Sequence, residues 1–170
     1  GLVHKSELGA VALDLRTAAE VEEAARGMEA RLAAAGLAPG GFLLQEMVRG
    51  GQEVIFGLST DPKLGPLLMF GLGGKYVEVF RDVRFGVTPL APSEAREMVL
   101  GIKGRKLLEG VRGEAAADID LLVDSLLRLA RLATVHPRVA ELDVNPFLAA
   151  GGGRSRALDA RLRVAAPTGG

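Results

Sequence analysis

The 170-residue chain predicts an α+β fold with helices packed on one antiparallel sheet, and three observations carry that prediction. From Phe42 to Val87, short segments rich in apolar and β-forming residues follow one another, separated only by tight turn signals. Between Ile119 and Ala130, apolar residues recur at helical spacing. The last segments both alternate apolar and polar residues and are joined by Gly151-Gly152-Gly153, a β-hairpin pattern. Consecutive strands with tight connections indicate antiparallel pairing and not a βαβ series.

The elements follow in order. Ala10–Leu15 suits a short strand. Thr17 then caps a helix, with Glu20 three residues on completing a capping-box pattern, and Gly36 ends it. Strands are expected over Phe42–Val48, Glu53–Ser59, Pro66–Phe70 and Tyr76–Phe85, bounded by Gly50-Gly51, Asp61-Pro62 and Gly71–Gly74. A helix follows Pro92 and breaks near Gly101–Gly104. Ile119, Leu122, Val123, Leu126, Leu127 and Ala130 then place one apolar stripe on a second long helix.

Composition narrows the functional classes. Hydrophobic residues make up 48% and charged residues 25%, an ordinary globular balance that argues against disorder. Formal net charge is zero, so bulk electrostatics ask for neither a nucleic acid nor an acidic membrane surface. There is no cysteine, which excludes disulfides and thiolate metal sites and fits a reducing compartment. No stretch approaches the 18 or so apolar residues of a membrane span, so a cytoplasmic protein is expected. The chain opens Gly-Leu-Val-His without a methionine and reads as though it begins mid-protein.

The terminal hairpin holds the clearest chemistry. With Gly152 at the turn centre, Val139–Leu148 and Arg156–Val164 pair so that Leu142, Val144 and Pro146 face Leu162, Ala160 and Leu158 on one side. The other side pairs Glu141 with Arg163, Asp143 with Arg161, and Asn145 with Asp159. Opposed residues share a face with Cβ atoms roughly 4.5–5.5 Å apart, and a slip of one residue would mix the two faces. An amide oxygen beside a carboxylate suits Mg²⁺, which typically takes one or two protein ligands and completes its shell with phosphate and water. Asp143 and Glu141 lie on the same face as outer candidates. Spacing alone favours a solvated face of carboxylate–arginine pairs, and Asn145-Pro146 equally allows a turn or bulge.

Read together, the motifs point further. Glu141-Leu142-Asp143-Val144-Asn145-Pro146-Phe147, followed by Ala157-Leu158-Asp159-Ala160-Arg161, resembles the end of the ATP-grasp domain of NDP-forming acyl-CoA synthetases. That family includes succinyl-CoA synthetase β subunits and ADP-forming acetate–CoA ligases. Gln45-Glu46-Met47-Val48, Gly51-Gln52-Glu53 and Gly57 resemble its adenine hinge and following strand. Phe70-Gly71-Leu72-Gly73-Gly74, Val77-Glu78-Val79, Arg81-Asp82-Val83, Pro89-Leu90, Leu107–Gly110 and Arg112-Gly113 are similar to the ADP-forming branch, as is His4-Lys5-Ser6-Glu7 with Gly9. The similarity covers nearly the whole chain in order.

The resemblance implies an ATP-grasp-like fold and assigns roles. Asn145 and Asp159 would be Mg²⁺ ligands, backbone at Glu46, Met47 and Val48 would contact adenine, and Glu53 would reach the ribose hydroxyls. By residue type alone, the hinge is a buried strand and Glu53 an ion-pair partner. Gly73 and Gly74 would belong to a loop near the phosphates, where absent side chains let backbone N–H groups approach. Gly71–Lys75 is not a Walker A loop, because Lys75 precedes Tyr76 and not Ser or Thr, and in isolation it reads as a tight turn. His4 would be a phosphoryl-carrying histidine, its neutral imidazole being nucleophilic near neutral pH; near a chain end it is otherwise a surface residue, as is His136.

The implied activity is acid + CoA + ATP giving acyl-CoA + ADP + phosphate through phosphohistidine, with ATP/ADP and Mg²⁺ bound here and CoA bound by other domains. The implied partner is a CoA-binding or acyl-binding domain or α subunit, with no nucleic acid and no membrane. The family's domain starts with a further segment carrying a phosphate-binding lysine, so residues 1–170 are expected to be a partial ATP-grasp domain, inactive alone. A second implied role is a regulatory ATP-grasp-like domain of a protein lysine acetyltransferase.

Overall fold

A computed structural model describes residues 9–38, 40–74, 82–111 and 115–166. The chain divides into two compact units, 1–49 and 50–170.

The first unit is built on helix α1 (Ala18–Ala34). Its start follows from the capping box: the Glu20 N–H donates to Thr17 Oγ1 at 3.2 Å, and the Thr17 N–H donates to Glu20 Oε2 at 3.3 Å. Its end follows from Gly36, at φ +72°, where the Gly36 and Leu37 N–H groups return to the carbonyls of Ala33 and Leu32 at 3.0 and 2.8 Å. Met28 and Leu32 are its buried residues. Two expected strands do not form here. Ala10–Leu15 is irregular, because Asp14 sits at φ +63° and turns the chain out of extended geometry; an Arg49–Asp14 ion pair holds it there. Phe42–Val48 is also irregular, with Leu43 83% and Leu44 72% exposed. A strand is defined by the ladder it joins, and no described residue pairs with this stretch in one.

The second unit is a mixed layer of sheet and helices. Its strands are β1 (Gln52–Asp61), β2 (Gly65–Leu72), β3 (Val83–Val87), β4 (Val139–Ala149), β5 (Arg156–Ala157) and β6 (Ala160–Val164). They form one antiparallel sheet in the order β3-β2-β1-β4-β5, with β6 also on β4. Asp61 makes the β1–β2 turn by accepting the N–H groups of Lys63 and Leu64 at 2.8 and 2.9 Å, which hold its carboxyl below the usual range, Leu64 contributing most. Of the expected strand Tyr76–Phe85, residues 76–81 lie outside the described residues, and Val83–Phe85 belongs to β3.

Helices α2 (Pro92–Leu100), α3 (Arg105–Leu108) and α4 (Ile119–Val135) connect the strands. Pro92 opens α2, whose Glu94 carboxylate accepts the Ala91 N–H at 2.7 Å. Asp118 caps α4 by accepting the Leu121 N–H at 3.0 Å. The predicted stripe on α4 buries Leu122, Val123, Leu126 and Ala130 against one sheet face carrying Val54, Phe56, Leu58, Leu68 and Phe70. Phe56 lies at the centre, its ring 5.3 Å from that of Phe70 and 5.1 Å from that of Phe147, the latter edge-to-face. Gly57, Ser59, Met69 and Phe85 alternate with this row and so point to the opposite face.

Candidate functional site

The terminal hairpin forms in the expected register. Glu141 opposes Arg163, Leu142 opposes Leu162, Asp143 opposes Arg161 and Val144 opposes Ala160, while Phe147 opposes Ala157 and Leu148 opposes Arg156. Between these two ladders the Asn145 N–H donates to the Asp159 carbonyl at 3.1 Å, and the Leu158 N–H to the Pro146 carbonyl at 2.9 Å. The Gly151–Gly153 turn is closed by Ser155, whose hydroxyl accepts the Ala150 N–H at 3.0 Å and donates to its carbonyl at 2.8 Å. Asn145 and Asp159 therefore sit side by side, both exposed.

The faces separate on β4 as alternation requires: Glu141, Asp143 and Asn145 are exposed, while Leu142 and Val144 are half-buried against the core. On β6 they do not, because it is an outer strand and all five residues are exposed, Leu162 by 56%. On the β1 side the register shifts: Val54 opposes Phe147 and Phe56 opposes Val144, so Ile55 alone faces Asn145-Pro146. That is a β-bulge with its proline where a ladder N–H is dispensable; the Asn145–Pro146 peptide is cis.

Charge is arranged in a row along this face. The Arg163 guanidinium donates to Glu141 at 2.6 Å and holds that carboxyl below its usual range. Asp143 is displaced the other way: partial burial raises its pKa, Arg161 opposes the rise, and the Asp159 charge adds to it. Asp143 and Asp159 thus lie within electrostatic reach of each other beside Asn145. A shallow cavity of about 370 Å³ opens on the same face, with Gly57, Met69 and Phe85 on its floor and Asp143 and Arg161 at its side. Met69 and Phe85 were not expected from the sequence, where they carry no signal beyond strand alternation.

A divalent cation fits the donor set. Asn145 and Asp159 would supply two hard oxygens, and a cation beside them would offset the mutual repulsion of Asp143 and Asp159. Among the described residues no three His, Asp or Glu side chains converge as a complete metal cage. The pair therefore suits an ion that brings phosphate and water ligands of its own.

A second group of expected residues meets at the start of β1, beside the bulge. Glu53, half-buried, accepts the Gly73 N–H on its carbonyl at 2.8 Å. A Cβ on Gly73 would lie 3.0 Å from the Glu53 carbonyl carbon, and one on Gly74 would overlap Glu53 Oε2. Gly74 is at φ +62°, so its backbone favours glycine, and a side chain there would displace the Glu53 carboxylate. Glu46, Met47 and Val48 lie in the first unit in irregular chain, and Met47 is 41% exposed. The buried hinge strand expected for them is absent from the described ladders. His4 lies outside the described residues, as do Lys75 and Val77–Val79. His136 is exposed, as expected. Asp82 of the Arg81-Asp82-Val83 motif is buried, and its carboxylate accepts two backbone N–H groups at 2.7 Å.

The chain belongs to the ATP-grasp family, whose domain model matches residues 1–164. Within the family it is similar to the β-type part of ADP-forming acetate–CoA ligases. It is 45% identical over 150 residues to acetate–CoA ligase [ADP-forming] I of Archaeoglobus fulgidus, covering 85% of this chain and 21% of that protein. It is 37% identical to the β subunit of acetate–CoA ligase [ADP-forming] I of Pyrococcus furiosus, covering 87% of this chain and 65% of the subunit. The chain therefore spans about a fifth of the first relative and under two thirds of the second. A solved structure of dinucleotide-forming acetyl-coenzyme A synthetase 1 from Ca. Korarchaeum cryptofilum, in complex with coenzyme A and Ca-AMPCP, superimposes with a TM-score of 0.87 at 40% identity, covering 96% of this chain and 72% of that one. A second structure of that protein contains coenzyme A and Mg-AMPPCP. No described helix here is long and apolar enough to cross a membrane.

Proposed function

We propose that this chain is the nucleotide- and Mg²⁺-binding part of an ADP-forming acid–CoA ligase. The observation that carries the reading is the Asn145–Asp159 pair, opposed across one hairpin beside Asp143 in a domain similar to one solved with Mg-AMPPCP. Asn145 and Asp159 would hold the ion, which when bound supplies charge neutralisation for a phosphoryl group in transfer. Glu53 would orient the ribose, and the Gly73–Gly74 corner would admit phosphate oxygens close to backbone. Glu46, Met47 and Val48 are assigned to adenine and His4 to phosphoryl relay on the family resemblance. The whole protein would interconvert acid, CoA and ATP with acyl-CoA, ADP and phosphate. CoA and acyl binding belong to a partner domain or subunit, so the chain alone would not turn over. A cytoplasmic setting fits these soluble substrates.

Calorimetric titration with ADP and Mg²⁺ tests the reading. Binding by the wild-type protein, lost in Asp159→Ala and weakened in Asn145→Ala, is the expected result. Equal ADP affinity in all three proteins overturns the ligand assignment.

A further inference from the structure

We propose that Asp82 is a positioning residue for nucleotide: its buried carboxylate fastens the α2–α3 loop to the end of β2 and so sets where the Gly73–Gly74 corner lies against Glu53. The inference rests on the nucleotide reading of that corner given above.

Asp82 is 5% exposed and, among the described residues, the one buried polar or charged side chain. Oδ1 accepts the Lys103 N–H at 2.7 Å and Oδ2 accepts the Gly104 N–H at 2.7 Å. Its own carbonyl accepts the Leu72 N–H at 3.3 Å, and the next residue, Gly73, donates to Glu53 at 2.8 Å. A continuous path of bonds and chain thus runs from the α2–α3 loop through Asp82 to Glu53. Its parts fit without slack. A Cβ on Gly71 would lie 2.6 Å from the Asp82 carbonyl oxygen, and one on Gly104 would overlap the Leu72 side chain and stand 3.3 Å from Asp82 Oδ2.

Burying a carboxyl group is costly unless its oxygens are bonded. An apolar side chain of similar size would fill this space without that cost. What only the carboxylate supplies is two oriented acceptors that fix two consecutive backbone N–H groups of a loop 21 and 22 residues away. Charge-assisted bonds of this kind are short and directional, and they tie the loop to the strand end that carries the glycine corner.

The test is Mg²⁺·ADP affinity measured calorimetrically on the intact protein. Asp82→Asn keeps one acceptor oxygen and turns an NH₂ group toward a backbone donor. We expect it to weaken binding on the order of tenfold, as loss of a supporting contact does. Combined with Glu53→Gln, the joint loss should fall short of the product of the single losses by at least about threefold, because both act through one corner. Combined with Asn145→Ala, on the separate hairpin, the losses should multiply. A merely structural Asp82 would lower the melting temperature and multiply equally with both partners, and that result overturns the inference. So does an Asp82→Asn affinity equal to wild type while Glu53→Gln and Asn145→Ala each weaken binding. If those two leave binding unchanged, the nucleotide reading itself fails and takes this inference with it. Should Asp82→Asn not fold, Gly104→Ala crowds the same junction from the loop side without touching the carboxylate's chemistry, and the same coupling pattern decides.

Discussion

Gly74→Ala isolates the geometry of the glycine corner with one methyl group. Gly74 lies at φ +62°, where an alanine costs roughly 1–2 kcal/mol in the left-handed region. Stiffening of the unfolded chain does not compensate at such a position. Global stability should therefore fall by about 1 kcal/mol, a melting-temperature loss of about 4 °C for a unit of this size. Binding should suffer more. The new Cβ would overlap Glu53 Oε2, so the carboxylate must swing away from the place where the ribose is proposed to meet it. Loss of a hydrogen bond to a charged group is worth about 1.5–3 kcal/mol, or roughly 10- to 150-fold in the Kd for Mg²⁺·ADP. Calorimetry gives the Kd and thermal melting reports the stability. If Gly74→Ala lowers the melting temperature as expected but leaves ADP affinity within about threefold of wild type, the corner does not serve nucleotide and the reasoning fails.

Three further outcomes follow from packing and charge. Phe56→Ala should cost about 3–5 kcal/mol in chemical denaturation, since the ring is 1% exposed and wedged between those of Phe70 and Phe147; a loss below about 1 kcal/mol would place the core elsewhere. Thr17→Ala should cost about 0.5–2 kcal/mol and speed amide exchange in the first turn of α1, and unchanged exchange at Glu20 would deny the cap seen at 3.2 Å. Arg163→Ala should raise the Glu141 carboxyl toward its ordinary 4.5, because the Arg163 hydrogen bond is the main cause of its depression. With the folded pKa lowered, the pair's contribution is present above that ordinary value and is lost as pH falls through the folded one. An NMR titration in which Glu141 is unmoved by the substitution would refute the pairing.

Legibility of this fold in its sequence tracks how locally each contact is closed. The capping box of α1, the stripe of α4 and the Gly152-centred register each involve residues whose partners are a turn or a hairpin away, and each formed as read. Ala10–Leu15 and Phe42–Val48 have strand composition, but composition states only a preference for a pleated, partnered surface. Neither finds a ladder among the described residues. Asp82 was opaque for the same reason: an aspartate before a strand gives no sign that its acceptors serve N–H groups 21 and 22 residues on.

The two halves of the candidate site differ in the same way. Asn145 and Asp159 belong to one hairpin, so alternation and a turn centre were enough to set them side by side. Their outlook was not readable. The bulge that opposes Ile55 to Asn145-Pro146 is a property of β1 meeting β4, two strands separated in sequence by β2, β3 and three helices. Bulges bend a strand and redirect its side chains, and here the bulge falls at the proposed ligand itself. Glu53 and the Gly73–Gly74 corner take this further, since Gly73 reaches Glu53 only because β2 returns along β1 in one register. A hairpin can hold an ion's two oxygens by itself, but placing that ion relative to a ribose requires β1 to carry Glu53 at one end and to accept the bulge of β4 next to it. The strand shared by both groups is thus the element on which the geometry of the proposed site depends.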